Sequence, residues 1–237
     1  MRIAVPTVAI FIAAFSFSAE VGAAPGLGDK VYGATLEAGE TEFETRYGRL
    51  VGGEADGDDV LKLEVAHSFS DRFYGALVGK FERDFPASRK LSAVAVEGIY
   101  TLGKIGGIDA AVYGEYEIGL HGSDAVETKL LLEKRAGEFD ARVNLIAEKP
   151  LNGEAIEFGY AASADVEAIG EFRLGAAAFG DLSHGEHFAG PVIKTEIGHL
   201  PGGSELELET GYLFAIGKAG NETDGQFRLL LEFATHF

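Results

Sequence analysis

Carboxylates and a handful of imidazoles are the side chains in this sequence that could do chemistry. Cysteine is absent, so a disulfide framework, a thiolate metal site and a cysteine nucleophile are excluded. The six histidines are His67, His121, His184, His187, His199 and His236. His67 neighbours Ser68, but successive strand residues point to opposite faces, so the pair cannot work as a hydrolytic dyad. The densest polar set runs from Asp181 to His187. There Asp181, His184, Glu186 and His187 supply two imidazoles and two carboxylates, ligand types suited to zinc, copper or nickel. Their spacing lacks the i, i+4 helical pairing of a strong metal motif, and a solvated polar loop is the simpler account.

The charge balance removes further classes. Lys+Arg number 20 against 38 Asp+Glu, a formal net charge of −18. A nucleic-acid binder needs a basic footprint, which this chain lacks. At 46% hydrophobic residues it is not a disordered acidic tail either.

The elements that must position these residues begin after a leader. Arg2, the apolar run 3–17 and the small residues Val21-Gly22-Ala23 follow the pattern of a secretory signal peptide over residues 1–23. This leaves 24–237 as one domain. No later stretch has the length and apolarity of a membrane helix. Period-two alternation takes over instead, in twelve windows: 41–47, 61–69, 73–81, 92–100, 108–118, 126–132, 139–147, 156–164, 172–178, 189–197, 206–216 and 227–237. One parity in every window is free of Asp, Glu, Lys and Arg, and His67 is its only histidine. Within the windows the opposite parity holds fourteen carboxylates against eight bases.

Alternation alone fits a soluble barrel with its apolar parity inwards or a transmembrane barrel with that parity on lipid. Three features favour the second. With both chain ends on one side, the connections of that side (70–72 between the second and third strands, 134–138 between the sixth and seventh) are short. The opposite connections (51–59, 84–89, 121–125, 181–187, 218–225) tend to be longer or more polar. Aromatic residues on the apolar parity form two groups: Phe69, Phe73, Tyr100, Phe139, Phe172 and Phe237 near one set of strand ends, and Tyr47, Phe81, Phe214 and Phe227 near the other. The last residue is Phe237, with Phe233 in register behind it.

On these residues the chain resembles the Gram-negative outer-membrane β-barrel proteins, of small porin-like size, with no subfamily identified. The resemblance implies an antiparallel transmembrane barrel of twelve strands, within a range of ten to fourteen. It also implies outer-membrane lipid and lipopolysaccharide as surroundings, and recognition of Phe233 and Phe237 by the barrel-assembly machinery.

The lumen is then the informative surface. Its acidic residues include Glu40, Glu42, Glu44, Glu64, Glu115, Glu117, Glu205, Glu207, Glu209 and Glu232. Its bases are Arg46, Lys62, Lys80, Lys129, Arg142, Arg173, Lys194 and Arg228. Eight bases cannot neutralise fourteen acids, and unpaired carboxylates buried dry cost several kcal/mol each. A water-filled, cation-favouring channel for small solutes or metal ions is therefore expected, with no cofactor, no catalytic centre and no nucleic-acid partner. Two alternatives stay open: a non-conducting barrel whose lumen is closed by salt bridges and whose loops bind a partner, and an enzyme acting on lipids at the rim.

Overall fold

A computed structural model describes residues 24–200 and 204–236; side chains at 197–199 lie outside the description, as do the signal-peptide reading at 1–23 and Phe237. Twelve strands follow one another: β1 (Glu40–Val51), β2 (Asp59–Ser68), β3 (Phe73–Arg83), β4 (Lys90–Ile105), β5 (Ile108–Gly119), β6 (Ala125–Ala136), β7 (Phe139–Pro150), β8 (Glu157–Ile169), β9 (Phe172–Asp181), β10 (Glu186–Leu200), β11 (Ser204–Gly217) and β12 (Gly225–His236). Each expected window falls on one strand, in order. Every strand pairs antiparallel with its sequence neighbour, and β12 closes onto β1 from Glu40↔His236 to Val51↔Gly225, giving a closed barrel. Closure leaves no unpaired ladder edge, which is what a strand protein needs in lipid.

Connections separate by rim. On one rim the described links are two to four residues: 69–72, 106–107, 137–138 and 170–171. On the other they are four to seven: 52–58, 84–89, 120–124, 151–156, 182–185 and 218–224, the last holding a short helical turn at Lys218–Asn221. We call these the turn rim and the loop rim.

The apolar parity faces outwards. Phe43, Val65, Leu77, Val96 and Tyr116 form one cross-strand row, each directly opposite the next, and all are exposed. Phe69, Phe73, Tyr100, Phe139 and Phe172 are exposed near the turn rim, and Phe214 and Phe227 near the loop rim. His67 lies among the first group, edge-on to Phe69 and bonded to Thr41 Oγ1 at 2.9 Å. The polar parity faces inwards, where Glu44, Arg46, Glu64, Glu97, Lys129 and Glu133 are buried. Apolar outside and charged inside is the arrangement of a barrel in lipid and the reverse of a soluble one.

Residues 24–39 are not part of the wall. They run through the lumen from the loop-rim half, where Gln226 Nε2 donates to the Pro25 carbonyl at 3.1 Å, to the turn rim, where Gly39 N donates to Ser68 O at 2.8 Å and β1 begins. The domain expected over 24–237 thus includes a segment that lies inside the barrel and forms none of its wall. Glycine permits this close passage: Gly28 has φ +73°, a Cβ there would lie 2.9 Å from Val60 Cγ1, and one on Gly48 would lie 2.6 Å from Gly28 N.

The outward belt makes a direct prediction. Leu77, 65% exposed at mid-strand, should tolerate no charge in a bilayer. Leu77→Lys should cost about 2–4 kcal/mol in reversible denaturant unfolding from phospholipid vesicles, while Leu77→Ile should change the midpoint little.

Candidate functional site in the lumen

Strand register sorts the inward carboxylates into two rows. Glu64, Glu44, Glu232, Glu207 and Glu196 stand directly opposite one another across β2, β1, β12, β11 and β10. Glu97, Glu115, Glu127, Glu148 and Glu157 do the same across β4, β5, β6, β7 and β8. Directly opposed residues lie about 4.5–5.5 Å apart, so like charges repel along each row. The first row lies in the turn-rim half of its strands. The second climbs from mid-barrel at Glu97 to the loop rim at Glu157, the first residue of β8.

Where the rows approach each other, the threaded segment crosses. Lys30 Nζ lies 2.9 Å from Glu44 and 3.3 Å from Glu64. Arg46 lies 2.8 Å from Glu44 and 3.9 Å from Glu97, and bonds Glu64 as well. Tyr32 donates its hydroxyl to Glu97 at 2.9 Å, and the Tyr74 hydroxyl donates to Glu64. Tyr32 also exchanges two bonds with Asn144: its N–H donates to Oδ1 at 2.8 Å, and Nδ2 donates to its carbonyl at 2.9 Å. Ala34 N donates to Glu133 Oε2 at 2.9 Å. The Tyr32 ring is 4.8 Å from the Tyr113 ring, with Lys30 and Lys129 ammonium groups at 4.9 and 4.8 Å. Tyr32 is 4% exposed, and Glu44 and Glu64 are each 3% exposed. This is a septum in which two cations and two tyrosine hydroxyls meet three carboxylates.

Above the septum on the β1, β2 and β8–β11 side, the lumen is apolar. Leu27 of the segment packs with Leu50, Val60, Phe179, Phe188, Val192 and Leu213, all buried. On the β3–β8 side, Lys80, Glu115, Glu117, Glu127, Glu148 and Glu157 remain partly exposed towards the loop rim. Below the septum, Glu205 and Glu207 are exposed, Glu40, Glu42 and Glu232 partly so, and a cavity of about 290 Å³ opens between Arg142, Arg173, Lys194 and Glu207. Two acidic vestibules thus meet a closed middle. This differs from the expected continuous water-filled interior, because that expectation left Lys30 and Tyr32 out of the lumen.

Each of the eight inward bases has an acidic partner. Besides Arg46, Lys62 meets Asp29 at 2.5 Å, Lys80 meets Glu82 at 2.9 Å, and Lys129 meets Glu127 at 2.9 Å. Arg142 meets Asp140 at 2.8 Å, Lys194 meets Asp165 at 3.1 Å, Arg228 meets Glu209 at 3.0 Å, and Arg173 also engages Asp165. Glu115 accepts from the Tyr113 hydroxyl at 2.5 Å, and Glu117 is 4.0 Å from Lys80. Of the loop candidates, Asp181 and His184 come together at 2.7 Å, and this hydrogen bond raises the His184 imidazole above its ordinary pKa. Glu186 faces Asp181 across the β9–β10 ladder, whereas His187 is stacked on Tyr160 on the outer face. Phe233 lies on the outer face, its ring 6.4 Å from that of Phe43.

Sequence reasoning missed Asp29, Lys30, Tyr32 and Asn144. Asn144 is the lone amide among the charges of β7, a weak signal. Residues 24–39 show no alternation and no motif, and Asp29, Lys30, Tyr32 and Glu37 are their only charged or aromatic residues.

No family model matches the sequence, and no curated protein matches it. Solved structures do. The KdgM porin aligns at 11% identity and TM-score 0.56, covering 83% of this chain and 99% of that one. An outer-membrane channel from Pseudomonas putida F1 aligns at 10% identity and TM-score 0.62, covering 88% and 99%. The NanC porin aligns at 10% identity and TM-score 0.54, covering 82% and 99%. At these identities the likeness is one of fold: a porin-like outer-membrane barrel.

The septum predicts a defined loss. Lys30→Met leaves Glu44 and Glu64 with Arg46 as their only base among the described residues, and removing one partner of a buried pair costs about 3–5 kcal/mol. Hydrogen exchange at the Tyr32 and Ala34 amides should accelerate while the barrel ladders stay protected. Adding Glu64→Gln to Lys30→Met should restore much of that protection.

Proposed function

We propose that the protein is an outer-membrane channel of a Gram-negative bacterium that favours small cationic solutes or metal ions, and that the state described is its closed one. The observation carrying this reading is the pair of carboxylate rows, each running from the septum into one vestibule, where it is partly open to solvent. Acidic rings concentrate cations and repel anions at a pore mouth. Between them the barrier is a strand-free segment held by side chains, not a wall element, so it can be displaced without breaking a ladder. The fold shared with porins and an outer-membrane channel supports the same reading. Outer-membrane lipid and lipopolysaccharide would cover the apolar belt, and the assembly machinery would read the closing strand through Phe233 and Phe237. No catalytic role is assigned to any residue.

A second reading, a barrel that stays closed and acts through its surface, is favoured by the pairing of all eight inward bases. Planar-bilayer recording separates the two. On the channel reading the wild type shows rare or small openings, and Lys30→Met raises the open time or conductance. Silence of both proteins under all voltages supports the closed barrel.

Selectivity is a separate prediction. Glu205→Gln with Glu207→Gln changes the turn-side vestibule without touching the septum, and Glu148→Gln changes the loop side. Reversal potentials in a salt gradient should move from cation preference towards zero in each, and further when all three are combined. Unchanged reversal potentials would remove the carboxylate rows from the mechanism.

A further inference from the structure

We propose that Glu157, Asp181 and His184 form a binding site for a divalent first-row transition-metal ion at the loop-rim mouth of the barrel. One ligand atom from each of the three lies within 4.8 Å of the other two. They come from three places in the chain: the first residue of β8, the last of β9, and the loop that follows. A metal at about 2.0–2.2 Å from each donor needs the donors about 3–4 Å apart, which rotation of these side chains can reach from their present positions. Two carboxylate oxygens and one imidazole nitrogen make a mixed set that suits zinc, copper or nickel. Calcium would seek six to eight oxygens, about twice what the three residues provide.

The loop is shaped before any ion arrives. Asp181 Oδ1 accepts from Ser183 N at 2.6 Å and His184 N at 2.8 Å, leaving Oδ2 to face His184 Nδ1 at 2.7 Å. The loop is tied to the start of β8 as well. Leu182 N donates to Phe158 O at 2.8 Å, and Phe158 N donates to Ser183 Oγ at 2.9 Å, which fixes Glu157 beside Asp181. Glu157 has no base within ion-pair distance among the described residues, so its carboxylate is available. A metal would replace the proton now shared between Asp181 and His184, and Glu157 would supply the third bond. The remaining coordination positions face the mouth, where water or an incoming solute can complete them. Of the four residues the sequence singled out, two belong to this site, and Glu157 comes from 24 residues before Asp181 along the chain.

The test needs no conduction, so its outcome is independent of the channel reading. The full-length protein, purified from membranes in detergent, is titrated with zinc chloride by calorimetry and with cobalt(II) by visible absorption. One saturable equivalent is expected, together with cobalt ligand-field bands. Outer-shell changes alone weaken metal sites by roughly 10–100-fold, so loss of a direct ligand should cost at least as much. Glu157→Gln, Asp181→Asn and His184→Gln should each show it, with folding checked by heat-modifiable gel mobility. His184 is on an exposed loop, so His184→Gln keeps the test intact should a strand-end variant misfold. His236→Gln is the control, because Glu37, Glu40 and His236 form a second group at the opposite rim; its zinc affinity should match the wild type. Absence of saturable binding, equal affinity for calcium, full binding by His184→Gln, or loss of binding in His236→Gln would each overturn the assignment.

Discussion

The ion pairs of Lys30 with Glu44 and Glu64 set the terms for the rest of the lumen. A barrel wall that puts three carboxylates, Glu44, Glu64 and Glu97, around one guanidinium, Arg46, cannot be sealed from water unless more positive charge or donors arrive. The threaded segment delivers both. Lys30 supplies the second cation, and the Tyr32 hydroxyl supplies a donor to Glu97. Once Lys30 is fixed, Asp29 falls beside Lys62 and the Tyr32 backbone falls beside Asn144. The path of the segment is therefore dictated by charge, and its upper end by the apolar pocket around Leu27.

The same wall serves two solvents because side chains alternate with period two. Val65 and Leu77 face lipid while Glu64 and Val78 on the same strands face inwards. Slipping one ladder by a residue would put Glu44 into lipid and Phe43 into the lumen, so both faces enforce one register. That enforced register is also what aligns five carboxylates across five strands. The alignment is costly, as like charges opposite one another destabilise a sheet. Its persistence in both rows, one of which reaches the loop rim, is a reason to read the rows as functional and not as incidental surface charge.

The wall was legible in the sequence because each strand carries its own evidence. Alternation such as Phe227, Leu229, Leu231 and Phe233 needs no knowledge of the neighbour, and short links at 106–107 and 137–138 fix strand order. What required two or more strands at once was not legible. The carboxylate rows appear only when Glu115 is set against Glu127 and Glu148, a matter of register. The apolar part of the lumen hid among Leu50, Val60 and Leu213, which look like lapses in the polar parity until they are brought together. The threaded segment was least legible: it has no period, and its contacts with Gln226 and Arg228 span about two hundred residues of sequence.

On the channel reading, a closed and an open form would draw on the same charges. With the segment in place, Lys30 and Tyr32 satisfy the central carboxylates and the lumen is sealed. With the segment displaced, Glu44, Glu64 and Glu97 face one another with Arg46 alone, and such a cluster is stable only in water or with mobile cations beside it. Solvent entry is then enforced by the same groups that had held the seal. A wall lined with leucine would collapse or stay dry when its plug left; this one must hydrate. Two arrangements of unequal hydration, each satisfying the carboxylates in a different way, form the kind of bistable element that a gate requires.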